Sequence, residues 1–441
     1  MQKDTRNINV ESGNSAVNKK GFPRNYWIVI LMEFFERGSY YGVMSVLSVY
    51  LTNSVTEGGL GISFEQAGLI SSVTKPLLYL LPILSGAIAD RYGYRKLLMG
   101  AFVVMSIGYY LTGISTGYET VFASLLLMNI GAGFFKPLIS GTIAHTTNEE
   151  NSGLGFGIYY WSINLGAFIF PLILIPILKG ISYGYIFYMA AIATGLMLFL
   201  NIFLYKEPKK HETDKPLSEV LMGALMVLTD FRFVIMIVIY SMFWILYFQM
   251  YDSVLWYVKD YVDATPLNIA INKFLGLFTS NPNWKFDVEH ITVINAGVII
   301  CLQFVVSIIV KKFKALPTMI VGISFGSVGM AILAISNNIW VFITGIIVFT
   351  LGEMTAHPKF LSYVGLIAPE DKKALYLGYS FLYGVIGSGV GGILGAKLYV
   401  HFVKNLNQPV AFWLIFTGIG VLTIIGLLIY NSLITVKIQK R

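Results

Sequence analysis

The sequence predicts an all-α membrane protein with about twelve spanning helices in two six-helix halves. Three observations carry that expectation. The chain is 56% hydrophobic and only 12% charged, against about 25% charged residues in soluble globular proteins. Apolar stretches long enough to cross a hydrocarbon core of ~30 Å recur along its whole length. One polar run, Lys206 to Pro216, divides those stretches into two groups of six.

Residues 1–22 read as a disordered, mildly basic cytoplasmic tail, with Lys19, Lys20 and Arg24 at the membrane edge. The tail has no apolar core and so does not read as a cleavable signal peptide, and the first span is expected to act as its own insertion signal. Spans at about 25–53, 62–89, 97–116, 120–146, 153–178 and 182–204 form a first half over residues 23–204. Residues 205–233 form a polar linker, ending in an amphipathic segment expected to lie on the membrane surface. Spans at about 234–259, 288–310, 316–336, 338–366, 373–401 and 409–436 form the second half, 234–436, and residues 437–441 a short tail. The long loop at about 260–287 has room for a short surface helix from Leu267 to Phe278.

The net charge of +8 is explained by orientation without any nucleic-acid partner. Lys and Arg collect in the tails, the linker and the alternate loops that include Arg91, Arg95, Lys96, Lys311, Lys312 and Lys314. This bias predicts both termini on the cytoplasmic side of the cell membrane. Cys301 is the single cysteine, so no disulfide forms within the chain and no cysteine metal site arises. No nucleotide loop, metal-ligand spacing or nucleophile–base constellation is found, so neither an enzyme nor a cofactor is expected, and a monomer is. Gly384, Gly387, Gly389, Gly391, Gly392 and Gly395 in the eleventh span permit close approach of a neighbouring helix, or a hinge.

Charges within spans mark the candidate site. Glu33, Glu36 and Arg37 lie near the middle of the first span, where an isolated charge costs ~2.5–3.5 kcal/mol on insertion scales, so a protein interior or wet cavity is their expected environment. At 3.6 residues per turn they share a stripe with Tyr40, Tyr41 and Met44, and Glu33 and Arg37 are spaced i, i+4 for pairing. Lys136 and Glu353 each stand alone in an apolar span.

Several motifs carry a resemblance. Gly86-Ala87-Ile88-Ala89-Asp90-Arg91-Tyr92-Gly93-Tyr94-Arg95-Lys96 resembles the loop between the second and third helices of the major facilitator superfamily, with Gly86 for close helix packing, Gly93 for a tight turn and Asp90 among cations as a cytoplasmic gate. The first-span pattern E-x-x-E-R-x-S-Y-Y-G resembles the hallmark of the proton-dependent oligopeptide transporter family. Tyr79-Leu80-Leu81-Pro82, Gly133-Phe134-Phe135-Lys136-Pro137, Tyr159 to Gly166, Gly352-Glu353, Pro358 and Ala368-Pro369 resemble that family's second, fourth, fifth and tenth helices in order.

The resemblance implies the major facilitator fold and proton-coupled symport of di- or tripeptides, or similar small charged metabolites, by alternating access. In that family the counterparts of Glu33, Glu36 and Arg37 couple proton movement to substrate, and Arg37 would help hold a peptide carboxylate. Lys136 would pair with Glu353 across the halves, while Tyr40, Tyr41, Tyr79, Asn164 and Asn295 would line the peptide site. A zwitterionic peptide needs a cation at one end, an anion at the other and neutral hydrogen-bonding groups between, which these residues supply.

The chain departs from the family at two positions. An arginine usual after the Y-Y-G is Met44, and an acid usual before the seventh-helix glutamine is Phe248. Asp252, one turn on, or His357 is expected to replace that acid as proton carrier. Lys75 in the second span is readable as a side chain snorkelling to an interface, and Lys359 joins His357 beside Pro358. The losses keep open a uniporter or exchanger on the same scaffold, and a non-transporting membrane receptor is the other alternative.

Overall fold

The computed structural model describes residues 21–148, 150–208, 222–223 and 226–435. Most of the expected amino-terminal tail, most of the amphipathic linker segment and the 437–441 tail lie outside the described residues. The first half comprises α1 (Arg24–Thr52), α2 (Phe64–Gly86, helical on to Tyr92), α3 (Tyr94–Ile114), α4 (Tyr118–Thr146), α5 (Ser152–Ile181) and α6 (Tyr183–Phe203). The second comprises α7 (Phe231–Tyr261), α8 (Glu289–Lys311), α9 (Ala315–Leu333), α10 (Ile339–Ile367), α11 (Leu375–Asn405) and α12 (Pro409–Leu433). Among the described residues eleven of these are long and apolar enough to cross a membrane. The twelfth, α1, has 29 residues but carries the polar cluster. A short surface helix, Thr265–Leu275, occupies the long loop.

Side chains start several spans by satisfying the amide donors a helix leaves free at its beginning. Ser63 and Gln66 form a reciprocal capping box on α2 at 3.1 Å each way, Asp230 accepts from Arg232 N at 3.0 Å to start α7, and Asn338 accepts from Trp340 N at 2.9 Å to start α10. Between helices, glycine sets the distance, because lipid gives no hydrophobic drive for one helix to join another and packing must supply it. A Cβ at Gly352 of α10 would stand 2.5 Å from the Gly322 carbonyl of α9, and one at Gly392 of α11 would stand 2.6 Å from the Gly68 carbonyl of α2. The second contact joins the two halves, and it uses one of the eleventh-span glycines singled out in the sequence.

One helix kinks and another breaks. Pro76 lacks the amide that would bond back along α2, so α2 kinks after Thr74 while Lys75 and Pro76 keep right-handed helical backbone. α7 tightens at Gln249–Tyr251, leaves helical geometry at Asp252 (φ −127°, ψ −94°) and resumes at Ser253. Broken helices with charges at the breaks are features that membrane transport proteins place at their sites.

Candidate functional site

One end of the bundle carries the α1–α2 connection and the long loop between α7 and α8; we call it the loop end, and the opposite end, from which α1 starts, the tail end. Hydrogen bonds and ion pairs joining the halves gather at the loop end. Lys259 of α7 pairs with Glu57 at 2.7 Å and donates to Asn53, and Lys179 of α5 pairs with Asp287 at 2.5 Å and Glu289 at 2.7 Å. Trp256 Nε1 donates to the Ser48 carbonyl of α1 at 2.9 Å, and Ile393 N of α11 donates to Ser72 Oγ of α2 at 2.7 Å.

Deeper lies the best-enclosed of the ion pairs that join the halves. Lys75 Nζ donates to both carboxylate oxygens of Asp252, at 2.9 and 2.8 Å, and Ser71 Oγ donates to Oδ1 at 3.0 Å. Lys75 is 4% and Asp252 3% exposed. Lys75 therefore does not snorkel to an interface: its partner stands within the protein, on the facing half. Asp252 is likewise buried and engaged with a cation. His357, the other expected substitute acid–base group, has its Nδ1 3.4 Å from the Tyr240 hydroxyl, with Trp244 and Tyr383 rings around it. Lys359 donates to the Phe313 carbonyl at 2.7 Å and so ties α10 to the end of α8.

Inside these contacts, between the halves, lies a cavity of about 60 Å³. Its walls hold Arg37, Tyr40, Tyr41 and Met44 from α1, Lys75 and Tyr79 from α2, Lys136 from α4, and Tyr247, Phe248 and Tyr251 from α7. Five tyrosines and three cations thus converge on one space without a carboxylate among the lining residues. Met44 and Phe248 sit together on the wall, so the two apolar replacements fall at one place. Tyr247 and Tyr251 were missed in the sequence: they follow each other by one turn on α7, and only the packing of α7 on α1 aims them inward.

The first-helix charges form the cluster that their spacing suggests. Arg37 Nε pairs with Glu36 and reaches Glu33 Oε1 at 3.5 Å, and its guanidinium lies over the Tyr40 ring at 5.2 Å. Glu33 and Glu36 are fully buried, and neither oxygen of Glu33 has a hydrogen-bond partner among the described residues. α5 packs hard on this part of α1, with Phe170 filling the space beside Gly38.

The remaining candidates are distributed differently. Lys136 and Glu353 make no ion pair in this conformation. Lys136 lies over the Phe381 ring at 5.6 Å, and Glu353 accepts from Asn295 Nδ2 at 3.2 Å, an amide that also reaches Thr350 Oγ1 at 3.0 Å. Asn295 is therefore the partner of Glu353. Asn164 donates to the Tyr160 carbonyl of its own helix at 2.9 Å, and Tyr79 lies flat against Gly384 of α11.

At the tail end Gly93 takes φ +98°, a left-handed conformation that favours glycine, as the turn requires. Glu207 then accepts from Tyr94 N at 2.6 Å and Arg95 N at 2.8 Å, placing an anion on the start of α3. Arg95 spends its guanidinium on the Asn201 and Ile202 carbonyls at the end of α6, so it fastens its own half together and does not reach across to the other. Arg91, over the Tyr92 ring, and Lys96 are exposed. The Asp90 side chain lies outside the described residues. The packing role expected of Gly86 is not met, since a Cβ there would find nothing within 4 Å.

Comparisons with known proteins agree with this architecture. Residues 27–280 match the Major Facilitator Superfamily. The chain is 31% identical over 208 residues to the transporter YclF of Bacillus subtilis (strain 168), covering 46% of this chain and 42% of that protein. It is 34% identical over 185 residues to the di-/tripeptide transporter of Lactococcus lactis subsp. lactis (strain IL1403), covering 41% and 37%. The matched stretches thus span about two fifths of these curated relatives' length. A crystal structure of a peptide transporter POT in complex with sulfate superposes with a TM-score of 0.78 at 20% identity, covering 94% of this chain and 95% of that one. The resemblance read from the motifs, to the proton-dependent oligopeptide transporters, is borne out by these relatives, and the fold is that of the superposed crystal structure. With twelve long helices in two halves among its described residues, this chain is a multi-pass membrane protein and belongs to the Major Facilitator Superfamily.

Proposed function

We propose that the protein carries small peptides, or similar small charged metabolites, across the cell membrane by alternating access, inward and together with protons. It is a transporter and not an enzyme in this reading, works as a monomer, and has its tail end in the cytoplasm. The single observation that carries the reading is the cavity between the halves, where Arg37, Lys136 and five tyrosines face one space beside a buried glutamate pair. Cations bind a peptide carboxylate and the phenols take its amide groups. The acids at hand for an ammonium group are Glu353 and the Glu33–Glu36 pair.

Glu33 supplies the coupling. A carboxylate buried without a hydrogen-bond donor is costly, and a proton on either oxygen removes the charge while leaving Arg37 to Glu36 and to an incoming carboxylate. Substrate binding and proton uptake then favour each other. Alternation follows from the loop-end ties: with Lys75–Asp252, Lys179–Asp287 and Lys259–Glu57 closed, entry from the loop side requires those pairs to part.

The test is uptake of labelled dialanine into proteoliposomes under an inside-alkaline pH gradient and inside-negative potential, with and without a protonophore. Accumulation above equilibrium that the protonophore abolishes supports the proposal. In Glu33→Gln, dialanine exchange is expected to continue while accumulation is lost. Equilibration without accumulation in the unmodified chain would favour a uniporter, the reading to which Met44 and Phe248 on the cavity wall point.

A further inference from the structure

Lys75 at the proline kink of α2 and Asp252 at the break in α7 face each other across the halves. Lys75 keeps helical backbone where α2 kinks before Pro76, and Asp252 begins the last segment of α7, where an anion meets the positive end of the helix dipole. Each charge is held at a fixed point on its own half, Lys75 on the first and Asp252 on the second. They are not alike with respect to the cavity. Lys75 lines it and Asp252 does not.

The three cations of the wall differ in how they are occupied. Arg37 is engaged by Glu33 and Glu36 from its own helix. Lys136 has no ion-pair partner within 4 Å among the described residues, and so is ready for one carboxylate. Lys75 is neutralised by an acid on the other half. When the halves part at the loop end, Asp252 leaves with the second half. Lys75 then faces the cavity as a cation without its anion, reached by water from the opened loop end. Phe248, whose ring lies 6.0 Å from Lys75 Nζ, offers only an aromatic face. An anion arriving in the cavity is the group that can take the place of Asp252.

We propose that Lys75 is a specificity-determining residue that binds a second carboxylate of the substrate when the loop end is open. The chain then favours dipeptides with an acidic side chain over neutral ones of the same size. This rests on the reading of the protein as a peptide transporter.

The test is inhibition of labelled dialanine uptake by Ala-Glu, Ala-Gln and Ala-Lys, with the purified full chain in proteoliposomes. A hydrogen bond to a charged partner is about twice as strong as a neutral one, so Ala-Glu is expected to inhibit at roughly tenfold lower concentration than Ala-Gln, with Ala-Lys weakest. Lys75→Gln should abolish the difference between Ala-Glu and Ala-Gln, whereas Lys75→Arg and Asp252→Asn, which keep the cation, should preserve it. Should Lys75→Gln not fold, Lys75→Met combined with Asp252→Leu removes both charges and takes its place. Equal inhibition by Ala-Glu and Ala-Gln, or a preference that survives loss of the cation, overturns the proposal while dialanine uptake itself upholds the peptide reading. Absence of dialanine uptake by the unmodified chain defeats that reading, and the inference falls with it.

Discussion

Replacing Asp252 by leucine should open the loop end of the bundle. The side chains of Lys75 and Asp252 are almost fully enclosed, and the aspartate accepts three hydrogen bonds, two from Lys75 and one from Ser71. Removing one partner of a buried pair costs about 3–5 kcal/mol, because the other charge stays buried without compensation. That cost falls only on the closed form, since an opened loop end lets water reach Lys75. The equilibrium should therefore move toward the open form by a factor of about one hundred to several thousand. The distance between spin labels at Val55 and Ile269, exposed positions in opposite halves, reads the change in a Cys301→Ser background that removes the exposed free thiol. Asp252→Leu should lengthen and broaden that distance. Lys75→Met combined with Asp252→Leu should restore the short one, because replacing both members of a buried pair by apolar groups is close to neutral. An unchanged distribution in Asp252→Leu, or a double variant as open as the single one, would refute the reasoning.

Two further outcomes follow from packing and capping. Gly392→Ala places a methyl 2.6 Å from both the Gly68 carbonyl and Ser72 Oγ; overpacking of about 1–3 kcal/mol should open the same label pair, while Gly86→Ala, whose methyl meets open space, should leave it unchanged. Glu207→Gln removes the anion from the start of α3 and should lower stability by about 1 kcal/mol, read as a lower thermal unfolding midpoint in detergent with the label distance unaltered.

What the sequence disclosed was what is local in the chain. Apolar runs of the right length located the spans, because the bilayer sets that length from outside. Glu33, Glu36 and Arg37 could be grouped from their numbers alone, since residues three and four apart share a helix face. The turn at Gly93 was legible for the same reason, and the glycines of α11 announced a close neighbour without naming it.

The pairings across the halves were not legible. Lys75 and Asp252 are 177 positions apart, and each alone reads as a charge near an interface; only the way the two halves face each other, with α7 broken at Asp252, makes them partners. Asn295 could be placed in a span, but not against Glu353 of α10. Lys136 and Glu353 were expected as a pair and stand apart in this conformation, and Gly86 was read as a packing glycine where no neighbour comes within 4 Å. The sequence by itself determined the number and order of the helices, because helix formation and insertion depend on neighbours along the chain. Tertiary structure alone decided which charges neutralise one another and which remain to meet a ligand, because that depends on which helices the packing brings side by side.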